Sequence, residues 1–450
     1  MAKNTVSMDK LISLAKQRGF IFQSSEIYGG FAGGYDLGPL GVALAENIKN
    51  LWRKKFIQER DDVVALDSGI LMASKTWEAS GHISNFSDPL TECKKCHKRF
   101  RADHLEEDGV TDCPECGGEL TEPKQFNLMF QTHAGPTQDK DSVVYLRPET
   151  AQGIFVNFDN VLQSSRMKVP FGIAQIGKAF RNEITFRNFI FRVREFEQME
   201  LEYFVKPGED EEQFKYWRQF CMDFLTNDIG LKKENAHFRD HEKEELSHYS
   251  KSTTDIEYDY PFGTKELWGI ANRTDYDLKQ HSDHSGKKLE YRDPHSNEVF
   301  TPFVIEPSVG VSRLLLAVLV DAYDVVEGGR STTTDANKEE EVVLRLHPAI
   351  APVQVAVFPL SKKKELQDRA QGIAKVLRAD FRVQYDESGS IGRRYRRQDE
   401  IGTLHCVTID FDSLEDKKVT VRHRDTMEQE RVAIEELTDY IRESVSNIST

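Results

Sequence analysis

Four cysteines in two close pairs, Cys93-x2-Cys96 and Cys113-x2-Cys116 with sixteen residues between the pairs, have the spacing of a zinc ribbon. Four thiolates close a tetrahedral shell and leave no open coordination position, so a metal held here is structural. Pro114 and Gly117–Gly118 supply tight turns around the sulfurs. Read alone, Cys93 to His97 also spells Cys-x-x-Cys-His, the attachment signature of c-type haem. The second pair favours zinc and leaves His97 as a surface residue or an outer hydrogen-bond donor. Disulfide pairing and iron–sulfur ligation are the other readings; the first is uncommon in a reducing compartment and the second uses different spacings. Cys221 and Cys406 stand alone in apolar surroundings, the ordinary setting of buried free thiols.

Two further constellations carry polar chemistry. In AFRNEITFRNFIFRVREFEQMELEYF, Ala179 to Phe204, an Arg-x-Glu closes one strand, a basic and aromatic loop follows, and Arg-Glu-Phe-Glu opens the next strand. Arg181 can fork onto a phosphate, Glu183 can orient a base amine or an arginine, and Phe196 can stack on a purine. The bland alternative is the charged solvent face of a hairpin. EPSVGVSR, Glu306 to Arg313, places carboxylate, hydroxyl, glycine and arginine across a strand-to-helix junction. A helix N-terminus attracts anions, Gly310 lets a ligand approach the backbone, and Arg313 is a costly charge in an apolar helix unless it is partnered. A structural ion pair is the competing account. Arg393, Arg394, Arg396 and Arg397, interrupted by Tyr395, form the densest basic cluster, suited to a nucleic-acid backbone with a stacked base or to a solvated face.

These groups must be positioned by regular elements. Leu44, Ile48, Leu51, Trp52 and Phe56 recur at helical spacing and predict a helix from about Val42 to Gln58, after the glycine-rich YGGFAGGYDLGPLG. Strand patterns precede and follow Arg181, and TPFVIEP predicts a strand ending at Pro307, with a buried helix from Ser308. Residues 206–256 turn charged and helix-favouring, which predicts a helical insert in a sheet domain. The polar stretch Gly328 to Glu341 predicts an interdomain connection, and strand and helix patterns alternate beyond it. The expected organisation is a domain over 1–340, with a zinc-ribbon insert at 92–120, followed by a small α/β domain over 341–450.

A chain of 450 residues with 38% apolar and 30% charged residues can bury sizeable cores. Its net charge of −15 argues against a uniformly basic coat without excluding local patches. The longest apolar run, LLLAVLV from Leu314 to Val320, is too short to span a bilayer. The first twenty residues have neither an apolar signal core nor a transit-peptide composition, which predicts a cytoplasmic protein without membrane contact.

With those residues in hand, a resemblance follows. GPLG with its helix resembles motif 1 of class II aminoacyl-tRNA synthetases, FRNE to EFEQ resembles motif 2, and EPSVGVSR resembles motif 3. RPETAQG and ELWGIANRTDYDL are similar, more narrowly, to the homodimeric glycyl-tRNA synthetase family. SIGRRYRRQDEIG resembles its anticodon-binding domain, with a departure at Leu404–His405, where the family pattern has proline and an aromatic. The resemblance implies an α+β fold: an antiparallel-sheet catalytic domain and a C-terminal anticodon-binding domain.

It also implies an activity, in which glycine and ATP form glycyl-adenylate with magnesium and glycine passes to tRNA(Gly). Arg181, Glu183 and Arg313 would be the catalytic groups. Arg181 would hold the α-phosphate, Phe196 and Arg313 would sandwich adenine, and Glu183 would face its amine. Asn182, Phe191, Arg192, Val193, Arg194 and Glu195 would line the ATP site, with Glu266 and Leu267 near the phosphates and Gly310, Val311 and Ser312 on motif 3. Glu149, Glu306 and Ser308 would take the glycine ammonium, and Arg101 its carboxylate or the neighbourhood. Glu197, Gln198, Met199 and Glu200 would floor that pocket, next to Phe196, Pro307, Val309 and Gly310. Arg393 to Arg397 would bind tRNA, and Pro39 would lie near a homodimer interface. A non-catalytic nucleic-acid-binding relative, or a synthetase for serine, threonine or proline, shares parts of this pattern; the intact motif arginines disfavour the first, and EPS with RPETAQG the second.

Overall fold

The computed structural model describes residues 6–139, 142–247, 249–326 and 340–447. The predicted connection from Gly328 to Glu341 therefore lies outside the described residues, except for its last two positions.

Among the described residues, the first domain is organised on a seven-stranded sheet. Its strands are β1 (Val63–Ala65), β2 (Phe171–Phe180), β3 (Glu195–Val205), β4 (Ala236–Asp240), β5 (Ser252–Tyr260), β6 (Gly263–Thr274) and β7 (Phe303–Gly310). Their order is β4-β5-β6-β7-β3-β2-β1, antiparallel throughout except for the β1–β2 pair. Helices α1 (Pro39–Arg53), α2 (Asp210–Asp223) and α3 (Val311–Ala322) contribute to one continuous core. The face of α1 carrying Leu44, Ile48 and Trp52 is buried as the spacing predicts, and the helix continues into a wider π turn over Lys54–Gln58. Trp52 stacks on Phe56, which in turn stacks against Trp217 of α2 and Trp268 of β6. A side chain at Gly41 would bring its Cβ to 1.9 Å from the Phe20 carbonyl oxygen, so the close docking of α1 requires glycine there.

Strand β3 divides the labour of the sheet. Its side chains alternate, and Met199, Leu201, Tyr203 and Val205 enter the helix-covered core. Phe204, from the other set, joins a second apolar cluster with Phe155, Phe158 and Phe171, which closes one end of the opposite face. The rest of that face is polar and faces a cavity.

Two expectations change. Strand β7 does not stop at Pro307: Ser308, Val309 and Gly310 stay paired with Glu200, Met199 and Gln198, so α3 begins at Val311. That helix also ends early, because Tyr323–Val326 pairs as a strand with Glu341–Leu344. Residues 206–256 are not a helical insert alone. They contain α2, but also β4 and the start of β5, so the segment completes the sheet edge.

The cysteine segment is bracketed by the strand Ser87–Glu92, paired on one side with Arg99–Arg101 and on the other with Lys124–Asn127. Residues Val355–Ala433 form a second, five-stranded sheet with parallel and antiparallel pairs, whose core includes Val355, Val357, Leu366, Val407 and Ile441. The expected α/β domain is present, but Leu344, Leu346, Ile350 and Ala351 pack into the first core. The amide of Asn47 donates to the carbonyls of Ile350 (3.1 Å) and Ala351 (2.9 Å), which ties this bridging segment to α1. The second core thus begins at Val355, beyond the expected boundary at 341.

Candidate active site

On the polar face of the sheet, a cavity of about 290 Å³ is lined from β3, β5, β6, β7 and α3, together with the segments around Glu149 and His241. Alternation on β3 delivers Phe196, Gln198 and Glu200 to it. The pairings Glu200↔Ser308 and Ala271↔Glu306 bring the polar residues of β7 alongside.

At one end, carboxylates gather around a single guanidinium. Arg273, 2% exposed, donates two hydrogen bonds to Asp277 (2.8 and 2.9 Å) and one to Glu306 (2.6 Å), and the ring of Tyr249 lies over it with its centroid 4.0 Å away. Glu200 accepts from the Ser308 hydroxyl (2.7 Å), the Thr150 backbone N–H (3.0 Å) and the Thr150 hydroxyl. Glu149 accepts from Gln152 (3.0 Å), and His82 Nε2 lies 3.3 Å from it. Burial pushes the carboxyls of Glu200 and Glu306 up, the latter to about 8, with neighbouring carboxylates adding to the shift and Arg273 opposing it. Glu149 moves the other way: the charges of His82 and Arg273 outweigh its burial. This end has more carboxylates than cations, so it suits a small ligand that brings positive charge.

The other end is aromatic and cationic. The Arg181 guanidinium donates to the Pro148 carbonyl (3.1 Å) and lies 5.4 Å from the ring centroids of Phe86 and Phe196. Arg313 lies over the Phe191 ring (4.4 Å) and pairs with Glu266 (3.0 Å). That pairing supplies the partner a charge in an apolar helix demands, and it holds the Glu266 carboxyl below its ordinary range. One oxygen of Glu183 is buried without a donor at the cavity wall, so it is an acceptor awaiting a ligand N–H. Gly310 has no atom within 4 Å of where its Cβ would be, which leaves the backbone open to a ligand. Such an end fits a planar base and its phosphates.

A family model described as "tRNA synthetase class II core domain (G, H, P, S and T)" matches residues 130–322, and one described as "Anticodon binding domain" matches residues 354–444. The fold is similar to a crystal structure of prolyl-tRNA synthetase from Cryptosporidium parvum, with a TM-score of 0.66 at 17% identity, covering 98% of this chain and 78% of that one. Curated glycine–tRNA ligases are far closer in sequence. The protein of that name from Caldanaerobacter subterraneus subsp. tengcongensis is 59% identical over 98% of this chain and 99% of its own, and that from Treponema denticola is 52% identical over 99% of both. The chain belongs to the glycine–tRNA ligase family.

Of the residues that the motifs of glycine–tRNA ligases single out, the cavity gathers Glu149, Arg181, Glu183, Phe191, Arg192, Val193, Phe196, Gln198, Glu200, Glu266, Leu267, Glu306, Ser308, Gly310, Ser312 and Arg313. Others are carried elsewhere by strand alternation. Glu197 points to the helix side and pairs with Lys49 (3.0 Å), while Met199, Val309 and Val311 are core residues. Pro307 is buried outside the cavity lining, Glu195 pairs with Lys178 (2.8 Å), and Arg194 donates to the Ala32 carbonyl (2.7 Å). The Asn182 backbone N–H bonds to the Leu128 carbonyl (2.7 Å), and its residue does not line the cavity. Phe196 and Arg313, expected as an adenine sandwich, line the same cavity, but their close partners are Arg181 and Phe191.

Two expected contacts have other partners here. Arg101 is not among the cavity-lining residues: Asp88 (2.7 Å) and Asp103 hold its guanidinium, with the lining residues Glu183 and Arg192 among its neighbouring charges. In the basic cluster, Arg394 is 3% exposed and donates to the carbonyls of Pro359, Asp386 and Leu360. Arg397 pairs with Asp386, and Arg396 donates to the Glu340 carbonyl (3.0 Å). Tyr395 turns its ring onto Phe358 and its hydroxyl to Thr408 (2.7 Å), so it cannot stack on a base; Arg393 alone of the cluster is fully surface-exposed. The sequence reading missed His82, His241, Tyr249, Asp255 and Arg273. Arg273 stood inside the quoted ELWGIANRTDYDL, and an arginine at the end of an apolar strand was the available signal.

Replacing Arg273 with methionine takes the cation from the buried Asp277 carboxylate and the donor from Glu306. The expected loss of stability is about 3–5 kcal/mol, read as a fall in the urea midpoint at constant slope.

Proposed function

We propose that this cavity carries out both steps of glycine–tRNA ligation: a glycine carboxylate oxygen attacks the α-phosphorus of ATP and expels pyrophosphate, then the terminal ribose hydroxyl of tRNA attacks the glycyl carbonyl and expels AMP. The observation that carries the reading is the small end of the cavity, where Glu149, Glu200 and Glu306 converge with Ser308. Glycine offers only an ammonium and a carboxylate. Carboxylates that pair the ammonium, in a space closed to side chains, discriminate by exclusion, and no smaller amino acid exists to slip in.

Displacement at phosphorus asks for alignment and charge neutralisation rather than a protein nucleophile. Arg181 holds the α-phosphate between its aromatic neighbours, Glu183 accepts from the adenine amine, and Arg313, fixed by Glu266, lies at the base and phosphates. Glu266, which gives one oxygen to Arg313, would hold magnesium, and the ion would supply charge neutralisation for the departing pyrophosphate. Arg393 is left as the cluster's direct contact to tRNA. Ile27, Tyr28, Phe31, Leu37 and Val42 expose apolar surface around the glycine-rich segment and Pro39, which fits burial against a second copy in a homodimer. Among the described residues no helix is long and apolar enough to cross a membrane.

Structural zinc belongs to the same reading. Cys93 and Cys116 sulfurs are 3.5 Å apart, Cys96 and Cys113 sulfurs 3.6 Å, and the four lie within 4.8 Å of one another. A tetrahedron with metal–sulfur arms of about 2.3 Å has edges of about 3.8 Å, so the thiols fit the ion. The N–H groups of Lys95 and Cys96 point at the Cys93 sulfur, and His97 is exposed outside the cluster, where it bonds Glu92. The ribbon reaches the cavity through Asn127, whose amide donates to the carbonyls of His82 and Ile83 (3.0 Å each); His82 then meets Glu149, and Phe86 meets Arg181.

Glycine-dependent ATP–pyrophosphate exchange tests the function. Arg181→Ala should lower it about 100-fold or more with an unchanged circular dichroism spectrum, and exchange driven by a different amino acid would sink the glycine assignment. A pH dependence follows from Glu306. Below about 8 the empty pocket holds a proton on this carboxyl, which the arriving ammonium must displace. Apparent glycine affinity should therefore rise with pH between about 6 and about 8 and then level off, while the KM for ATP stays flat. For zinc, metal analysis should find one ion per chain with no visible absorption band. Chelation should raise the KM for glycine before the C-terminal domain unfolds; an unchanged KM in zinc-free protein would remove the ribbon's supporting role.

A further inference from the structure

Glu202 is the residue of this face that no motif claims. It follows Glu200 on β3 by two positions, so it points to the same side, one step deeper. Its exposure is 0%, and neither of its carboxylate oxygens has a hydrogen-bond donor. Carboxylate oxygens of Glu200, Glu202 and Glu306 lie within 4.8 Å of one another. An ionised carboxylate in that position would face two others with no donor of its own. The groups around it leave no other solution. Arg273 on β6 donates three hydrogen bonds, two to Asp277 and one to Glu306, Asp277 on the helix Tyr276–Ser285 is negative, and Glu200 on its own strand is already served by Thr150 and Ser308. Glu149, the remaining carboxylate at this end, is held by Gln152 and His82. Two facing carboxyls can form a hydrogen bond only if one of them carries the proton.

We propose that Glu202 is a positioning residue of the ammonium pocket: it stays protonated, donates its O–H to Glu306, and so fixes the Glu306 carboxylate toward the bound amino acid. Burial and the neighbouring Glu306 both raise the Glu202 carboxyl well above its ordinary range, in the direction this requires. When the substrate ammonium arrives, Glu306 is the group that loses a proton, because it has Arg273 and the ammonium to stabilise its charge. Glu202 feels the Arg273 charge but receives no hydrogen bond from it, and keeps its own proton. The inference rests on the glycine reading given above.

Two variants separate the possibilities, with glycine-dependent exchange by the unaltered enzyme checking the underlying reading independently. Glu202→Gln keeps the volume and an N–H donor but cannot ionise. It should leave the KM for glycine within about three-fold of the parent value and leave the pH midpoint of glycine binding in place. Glu202→Leu removes the donor; it should raise the KM for glycine about ten-fold or more, with the KM for ATP and the unfolding midpoint little changed. A Gln variant as impaired as the Leu variant, or one whose pH midpoint falls, would mean that Glu202 is ionised and would overturn the proposal. A Leu variant with the parent KM for glycine would overturn the positioning role. Should the Leu variant fail to fold, the Gln variant's KM and pH midpoint still decide the protonation state, and Glu202→Met repeats the donor deletion in an unbranched side chain.

Discussion

The site depends on one buried cation. Arg273 lies among the carboxylates at the small end of the cavity, and it is committed to Asp277 and Glu306 by three hydrogen bonds. An ion in this setting is costly to desolvate, and its attraction to its partners repays the cost only with near-ideal geometry. The geometry is supplied from two directions. Strand β6 carries Arg273 beside Glu306 on β7, and Asp277 comes from the first turn of the helix that follows β6. Because Arg273 cannot neutralise every carboxylate around it, the empty pocket is electrostatically incomplete. On the proposed reading a substrate ammonium completes it, which makes recognition and the internal charge balance of the fold the same problem.

That problem could not be solved on a mobile loop. The carboxylates of Glu200 and Glu306 stand on the two central strands, and the other faces of those strands are locked into the core by Met199, Leu201, Ile305 and Val309. A shift of one residue in the β3–β7 register would exchange the two faces, burying Glu200 against α3 and turning Met199 into the cavity. The hydrophobic side therefore enforces the polar side. The same pairing explains why β7 runs on to Gly310: only if Ser308 remains in the sheet, opposite Glu200, can its hydroxyl hold that carboxylate.

Much of this was legible in the sequence. The motif segments carry the family resemblance, the cysteine spacing marks the ribbon, and the alternation in EFEQMELEYF already separates two faces. What failed were readings of contiguous ranges. A range such as 197–200 cannot line one pocket when the strand period is two, and Glu197 and Met199 were lost to the other face for that reason. The basic run at 393–397 is divided by the fold in a different way. Density of charge in sequence does not measure charge at the surface, and on a helix of this pitch Arg394 and Tyr395 turn inward to satisfy carbonyls and fill a core. Tyr249 and Asp255 line the cavity and His82 meets Glu149 from outside the quoted motifs, through tertiary packing that no local pattern encodes.

The ribbon shows how a metal-spaced insert can bear on chemistry without contributing a ligand to it. Its Arg101 is held by Asp88 on the bracketing strand and by Asp103, so the influence is carried by backbone anchoring. Asn127, at the end of the ribbon's outer strand, clamps consecutive carbonyls of the short helix His82–Asn85. That helix and the residue after it present an imidazole to Glu149 and an aromatic ring to Arg181, at the two ends of the cavity. One hairpin thus anchors the backbone between those ends. A side-chain contact from the ribbon would fix only one of them; a clamp on the intervening backbone fixes both, and this is a physical reason for an insert to bear on a site it does not touch.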